Sequence, residues 1–140
     1  MADELLCSCH RLRRTSRAVT RLYEQALDGS GITITQYSVL SILARRGPST
    51  ATEIARSIGA DRTTMTRTLD RMIKAKLIRE TTAEDGREHP VLLAPAGEEA
   101  MTRAVKGWRR AEGTLNRALG PDRVGELWRL LSEAETAAAI

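Results

Sequence analysis

The sequence predicts a mainly α-helical chain with one small β-hairpin, and three observations predict it. Apolar residues recur at helical spacing over most of the 140 residues. Glycine and proline interrupt that spacing at defined points: Gly29 and Gly31, Gly47-Pro48, Gly59, and Gly120-Pro121. Between "LIRETT" and "PVLLA" the helical spacing gives way to two short β-prone runs around an Asp85-Gly86 turn signal.

The elements follow in order. Residues 5 to 27 place Leu5, Leu12, Val19, Leu22, Ala26 and Leu27 at helical spacing, with arginines at 11, 13, 14, 17 and 21 mostly between them. Residues 35 to 46, "TQYSVLSILARR", form a second helix that stops at Gly47-Pro48. Thr50 with Glu53 reads as a capping box for a short third helix, with Ile54, Ala55 and Ile58 inward and Gly59 at its end. Asp61 is the expected N-cap of a fourth helix whose buried stripe is Met65, Leu69, Met72 and Ile73. With Met65 at the centre of that stripe, Thr63, Arg67, Asp70 and Lys74 point the opposite way. Pro90 can only begin a strand or lie on an edge. Pro95 opens a long helix with Met101, Val105, Trp108, Leu115 and Leu119 inward, and Gly120-Pro121 ends it. A last helix carries Val124, Leu127, Trp128, Leu131 and Ala134.

Composition narrows the function classes. Hydrophobic residues are 41% and charged residues 29%, a balance that folds. Net charge is +4 and the pI is near 9.6, which suits a polyanionic partner. No apolar run approaches the roughly 18 residues of a membrane span. The acidic start, "MADELLCSC", leaves no room for a signal core, so the protein is placed in the cytoplasm with no membrane partner. No Ser/His/Asp arrangement, phosphate-cradling Gly loop or metal motif is present, so the reading is a protein that is not an enzyme and carries no cofactor or metal.

Two short helices across a Gly-containing turn, followed by a two-stranded hairpin, describe a winged helix-turn-helix. The outward face of the second of these helices is rich in Thr, Arg and Lys, whose side chains can meet base edges and phosphates in a major groove. Arg87 at the hairpin tip is placed to reach a minor groove. The terminal helices carry more apolar surface, both tryptophans included, than so small a centre can cover. One chain-long domain is therefore expected, with dimerisation helices at about 3–28 and 98–138 around a winged helix-turn-helix at about 35–95. The alternative class is a helical protein–protein adaptor without specific DNA binding.

From Thr35 to Gly97, the "DRTTMTRTLDRM" helix, the "KLI" exit and the "D-x-R" wing occur in the order found in the MarR family of bacterial transcription regulators. The resemblance extends through nearly the whole chain. It implies a homodimer with interlocked terminal helices and recognition helices in successive major grooves of a pseudo-palindromic duplex operator. The DNA-contacting set it implies is Arg62, Thr63, Thr64, Thr66, Arg67, Arg71 and Lys74, with Asp85 bracing Arg87 in the wing. The expected function is a dimeric sequence-specific regulator, a repressor released by an oxidant or a small aromatic ligand. The chain departs from the family at Gly86, where the wing usually has Arg, and at Ala94, where a capping Thr is usual. The missing cap costs on the order of 1 kcal/mol.

The stretch "CSCHRLRR" holds both cysteines. Cys7 and Cys9 point to opposite sides of a helix, and a disulfide between them would require the helix end to unwind. His10 shares a face with Cys7, but the only other histidine is His89, too few ligands for a closed zinc site. "SCHRL" and "SRAV" resemble the start of the peroxide-sensing OhrR-like branch of the family, with Cys9 at the oxidised position. Tyr23 matches a tyrosine that bonds the thiolate there, and Ile34 stands at the second tyrosine position. Tyr23 lies about 21 Å along the helix from Cys9, so contact requires the partner's helix. Inert packing of both thiols as small buried hydrophobes is the other reading. For a small anionic aromatic effector, which the family implies between the dimer helices and the DNA-binding lobe, the candidates are His10, Arg14, Tyr37 and Trp108, with Arg14 as charge partner.

Overall fold

A computed structural model describes residues 7–82 and 88–139. Among them are six helices and two strands: α1 (Ser8–Ala26), α2 (Ile34–Arg46), α3 (Ala51–Ile58), α4 (Arg62–Lys74), β1 (Ile78–Glu80), β2 (Val91–Leu93), α5 (Pro95–Leu119) and α6 (Pro121–Ala138). The fold is mainly helical with one antiparallel hairpin, as the sequence predicts.

Local chemistry sets most helix ends. The Thr50 hydroxyl accepts from the Glu53 amide while the Glu53 carboxylate accepts from the Thr50 amide, the reciprocal box expected for α3. A second such box, Thr33 with Gln36, starts α2 at Ile34, one residue earlier than the sequence reading placed it. Glu24 at the end of α1 also accepts from the Ile34 amide, so α1 directly caps α2. Pro95 and Pro121 open α5 and α6, and no side chain caps either. The exit from α4 is tight: the Leu77 amide donates to the Met72 carbonyl, and Lys76 takes a left-handed backbone at φ 61°.

In the hairpin, Ile78, Arg79 and Glu80 pair with Leu93, Leu92 and Val91. Val91 also exchanges both backbone hydrogen bonds with Ser49, at 3.0 and 2.9 Å, so the loop before α3 adds a third short rung. The core is aliphatic, with Val39, Leu40, Ile54, Met65, Met72 and Ile78 fully enclosed. It joins α2, α3, α4 and the hairpin root.

Helix α5 corrects the sequence reading. Its buried residues are Gly97, Ala100, Ala104, Gly107 and Ala111, whereas Met101, Val105, Trp108, Leu115 and Leu119 are only half-buried. The small residues follow a three-four-three-four spacing, one stripe of a helix. They form the seam because two backbones pass closer there than larger side chains permit. A Cβ at Gly107 would sit 2.0 Å from the Ala26 carbonyl oxygen, and one at Gly97 would sit 2.2 Å from that of Leu77. Helix α6 carries the surplus apolar surface that the sequence predicts for the terminal helices. Val124 is buried, but Leu127, Trp128 and Leu131 are exposed, Trp128 at 62%, and Ala134 is exposed as well. Trp108 is used within the chain and Trp128 is not.

Gly107→Ala is expected to destabilise the chain by at least the 1–3 kcal/mol typical of overpacking, because a carbonyl oxygen cannot rotate out of the way. Urea unfolding of the variant against wild type checks this.

Candidate nucleic-acid interface

Helices α3 and α4 pack on each other, with Gly59 at φ 78° and Ala60 forming the turn between them. Asp61 then fastens the start of α4. Its carboxylate accepts from the Thr64 amide at 2.9 Å and from the Thr64 hydroxyl at 2.8 Å. Those two bonds to Thr64, first through its amide, hold the Asp61 carboxyl below the usual carboxylate range. Met65, Leu69 and Met72 anchor one side of the helix in the core. Thr63, Arg67, Asp70 and Lys74 are all exposed on the other, as expected, with Arg62 and Thr66 on one flank and Thr64 and Arg71 on the other. Two hydroxyls are partly committed: Thr64 to Asp61, and Thr66 to the Arg62 carbonyl at 2.9 Å. Both keep oxygen lone pairs to accept with. Asp85, Gly86 and Arg87 lie outside the described residues.

Sequence reasoning missed Glu88. Its carboxylate accepts from the Thr52 hydroxyl at 2.8 Å and lies 3.6 Å from the Arg62 guanidinium. One side chain thus ties the hairpin to the starts of both α3 and α4. No local pattern marks this, since its partners are distant in sequence.

A cleft of about 620 Å³ lies between α2, the end of α3, and α5. Tyr37 and Trp108 stack in its wall, ring centroids 5.9 Å apart and planes at 27°. Its cations are Arg45 and Arg46 of α2. The Arg46 guanidinium also donates to the Ser57 hydroxyl of α3 at 2.6 Å. Of the four effector candidates, the structure brings Tyr37 and Trp108 together. His10 and Arg14 are exposed on α1 and do not line the cleft of this chain. Within the chain the cations beside Tyr37 and Trp108 are thus Arg45 and Arg46 rather than Arg14, and their position depends on how α2 meets α3.

The MarR family model matches residues 30–88, the segment that holds α2, the helix-turn-helix and the first strand. Across 96% of this chain and 100% of its own, the Mycobacterium tuberculosis transcriptional regulator MosR, solved in complex with DNA, is 33% identical with a TM-score of 0.84. The chain belongs to the MarR family. The repressor CouR, solved bound to p-coumaroyl-CoA, is 26% identical over 100% of this chain and 98% of its own, with a TM-score of 0.84. The HTH-type transcriptional regulator YwoH of Bacillus subtilis is 29% identical over 90 residues, 64% of this chain and 66% of that protein. These relatives are regulators rather than enzymes, and among the described residues no helix is long and apolar enough to cross a membrane.

Within this MarR-family frame the cysteine region differs from the packing reading. Cys7 and Cys9 are both exposed in the chain, so neither is a buried hydrophobe of it. Cys7 occupies the N-cap of α1 without a side-chain cap bond, and its sulfur lies 3.2 Å from His10 Nδ1. Tyr23 is buried and donates its hydroxyl to Glu112 of α5. That proton is therefore engaged within the chain rather than offered to a thiolate.

Burial and, next, the Glu112 carboxylate raise the Tyr23 pKa well above its usual 10.0. A raised folded-state pKa means that this contribution to stability is complete below pH 10 and is lost as pH climbs beyond it. Tyr23→Phe is expected to destabilise the protein by about 1–3 kcal/mol at neutral pH, since Glu112 loses its donor. Above pH 10 the wild type should lose stability more steeply than Tyr23→Phe. Denaturant titrations at pH 8 and pH 11 measure both effects.

Proposed function

We propose that the chain is a homodimeric transcriptional repressor that reads a pseudo-palindromic duplex operator with α4 of each protomer and releases it when an effector binds. The observation that carries this reading is the α4 face: polar, exposed, capped at its start by Asp61, and backed by Met65, Leu69 and Met72 in the core. MosR solved with DNA, and CouR solved on a 23-mer duplex, support it. Thr63, Arg67 and Lys74 form the centre of the contact, and Arg62, Thr64, Thr66 and Arg71 its margins. Asp85 and Arg87 are assigned to the minor groove on their sequence pattern alone. The place of action is the cytoplasm, where the DNA is.

Dimerisation is assigned to about 3–28 and 98–138, around a winged helix-turn-helix at about 35–95. Leu12 on α1 and Leu127, Trp128, Leu130 and Leu131 on α6 support it, because they are large apolar side chains left in water. Trp128→Glu is expected to turn a dimer into a monomer at micromolar concentration, read by light scattering. A wild-type monomer would remove the dimer from the reading.

The effector site is assigned to the Tyr37–Trp108 cleft, which offers a flat ligand an aromatic wall and its anionic group Arg45 and Arg46. CouR bound to p-coumaroyl-CoA supports an aromatic acyl or acid ligand. The exposed thiols support a second effector, an organic hydroperoxide that converts a thiolate to a sulfenic acid and leaves as the alcohol. Operator release by an organic hydroperoxide and by an aromatic acid, in wild type, Cys7→Ser, Cys9→Ser and the double variant, separates the two: release that survives loss of both thiols belongs to the cleft.

The function is tested by fluorescence anisotropy with duplexes from the gene's own upstream region. Arg67→Ala should lose about 1–3 kcal/mol of operator binding and relax specificity at one position per half-site. Unchanged affinity would show that α4 is not the reading helix.

A further inference from the structure

Glu88 holds an unusual place for an acid. Its carboxylate oxygen Oε1 takes the Thr52 hydroxyl at 2.8 Å and faces Arg62 Nη2 at 3.6 Å. Thr52 lies in the first turn of α3 and Arg62 opens α4, so this carboxylate sits between the starts of the two helices of the DNA-binding motif. The hydrogen bond from the Thr52 hydroxyl aims the carboxylate, and Arg62 is the cation it faces. The pair is solvent-accessible, with the Arg62 side chain 68% and the Glu88 side chain 39% exposed. A phosphate can therefore reach the guanidinium, but it must displace a carboxylate already there.

We propose that Glu88 is a phosphate-mimicking brake on DNA binding that acts through Arg62. This rests on the regulator reading above and adds a residue to it. In the free protein Glu88 neutralises Arg62. On a duplex, a backbone phosphate must compete with Glu88 for the Arg62 guanidinium. Each phosphate that a protein neutralises releases a counterion and steepens the dependence of binding on salt, with a log–log slope of about −0.9 per contact. Glu88 thus withholds about one such contact per protomer. Its consequence is a weaker, more readily reversed complex than the basic residues of α4 would otherwise form.

The test is a double-mutant cycle on the full chain with Glu88→Gln, Arg62→Gln and the pair, titrated onto operator and onto unrelated duplex from 50 to 300 mM salt. Gln keeps an oxygen for the Thr52 hydroxyl and removes only the charge. Glu88→Gln is expected to steepen the slope by about 0.9 per protomer bound and to tighten binding on the order of fivefold per protomer near 0.15 M salt. In the Arg62→Gln background the same change should leave slope and affinity unmoved. Thermal unfolding of each variant separates a change of charge from a change of fold, because a purely structural role would move the melting temperature and not the salt slope. The brake is overturned if Glu88→Gln leaves the slope unchanged, or if its effect survives the loss of Arg62. A wild type with no duplex affinity at any salt overturns the regulator reading, and the brake with it.

Discussion

The approach of α5 to the rest of the chain is governed by two carbonyl oxygens, those of Ala26 and Leu77, each of which meets α5 at a residue with no side chain. Gly107 lies against the end of α1, and Gly97 against the exit of α4 at the root of the hairpin. Between them Ala100 and Ala104 are fully enclosed. These points fall on one stripe of one helix, separated by about 15 Å of axial rise. The terminal helices and the DNA-binding motif are therefore referenced to a single rod through backbone contact. Side-chain contacts can adjust by rotating; a carbonyl held in a helix end cannot. The same constraint explains why the large apolar residues of α5 lie at the margins of its buried stripe, where Trp108 stacks on Tyr37.

That reference frame is extended to the DNA-binding face by short polar ties. Glu24 caps α2 from α1, Thr50 and Glu53 start α3, Asp61 starts α4, and Val91, opposite Glu80 in the hairpin, gives both its backbone hydrogen bonds to Ser49. None of these ties uses a residue from the exposed centre of α4. The helix is held by its inner stripe and its ends, so Thr63, Arg67 and Lys74 carry no structural duty that the fold requires of them. A recognition surface built this way can change its side chains without changing its support.

What was legible in the sequence was local. The Thr50–Glu53 box, the Asp61 cap, the Pro95 start, the Gly120-Pro121 break and the period of Met65, Leu69 and Met72 each depend on residues within about a turn or two, and the structure has them. The Thr33–Gln36 box was equally local, but the helix was read as beginning at Thr35, which set the boundary one residue late. The α5 seam was read wrongly for a physical reason: Gly and Ala contribute little hydrophobic signal, so the stripe was assigned to its larger neighbours. The exposed face of α6 was anticipated as surplus apolar surface, although Trp108 proved to belong to the chain's own packing. Features that join distant segments were not legible. Glu88 meets Thr52 across 36 positions, and the cations of the cleft, Arg45 and Arg46, end a helix whose neighbours only the tertiary structure supplies.

The cleft completes the connection between the two halves of the chain. Its aromatic wall joins α2 to α5 through Tyr37 and Trp108, and its opposite edge joins α2 to α3 through Arg46 and Ser57. Because α5 is referenced to backbone at Gly97 and Gly107, the wall formed by Trp108 is its stiff side. The polar tie at the α3 edge is the Arg46–Ser57 hydrogen bond between exposed side chains, which water or an anion can replace at little cost, while Ile54 and Ala55 keep α3 in the core. An occupant that drew Arg46 inward would take it from Ser57 and loosen α3 before it disturbed α5. The resulting displacement would pass to α4, which packs on α3. On the proposed reading, an occupant of the cleft would therefore act on α4 through α3 rather than through α5.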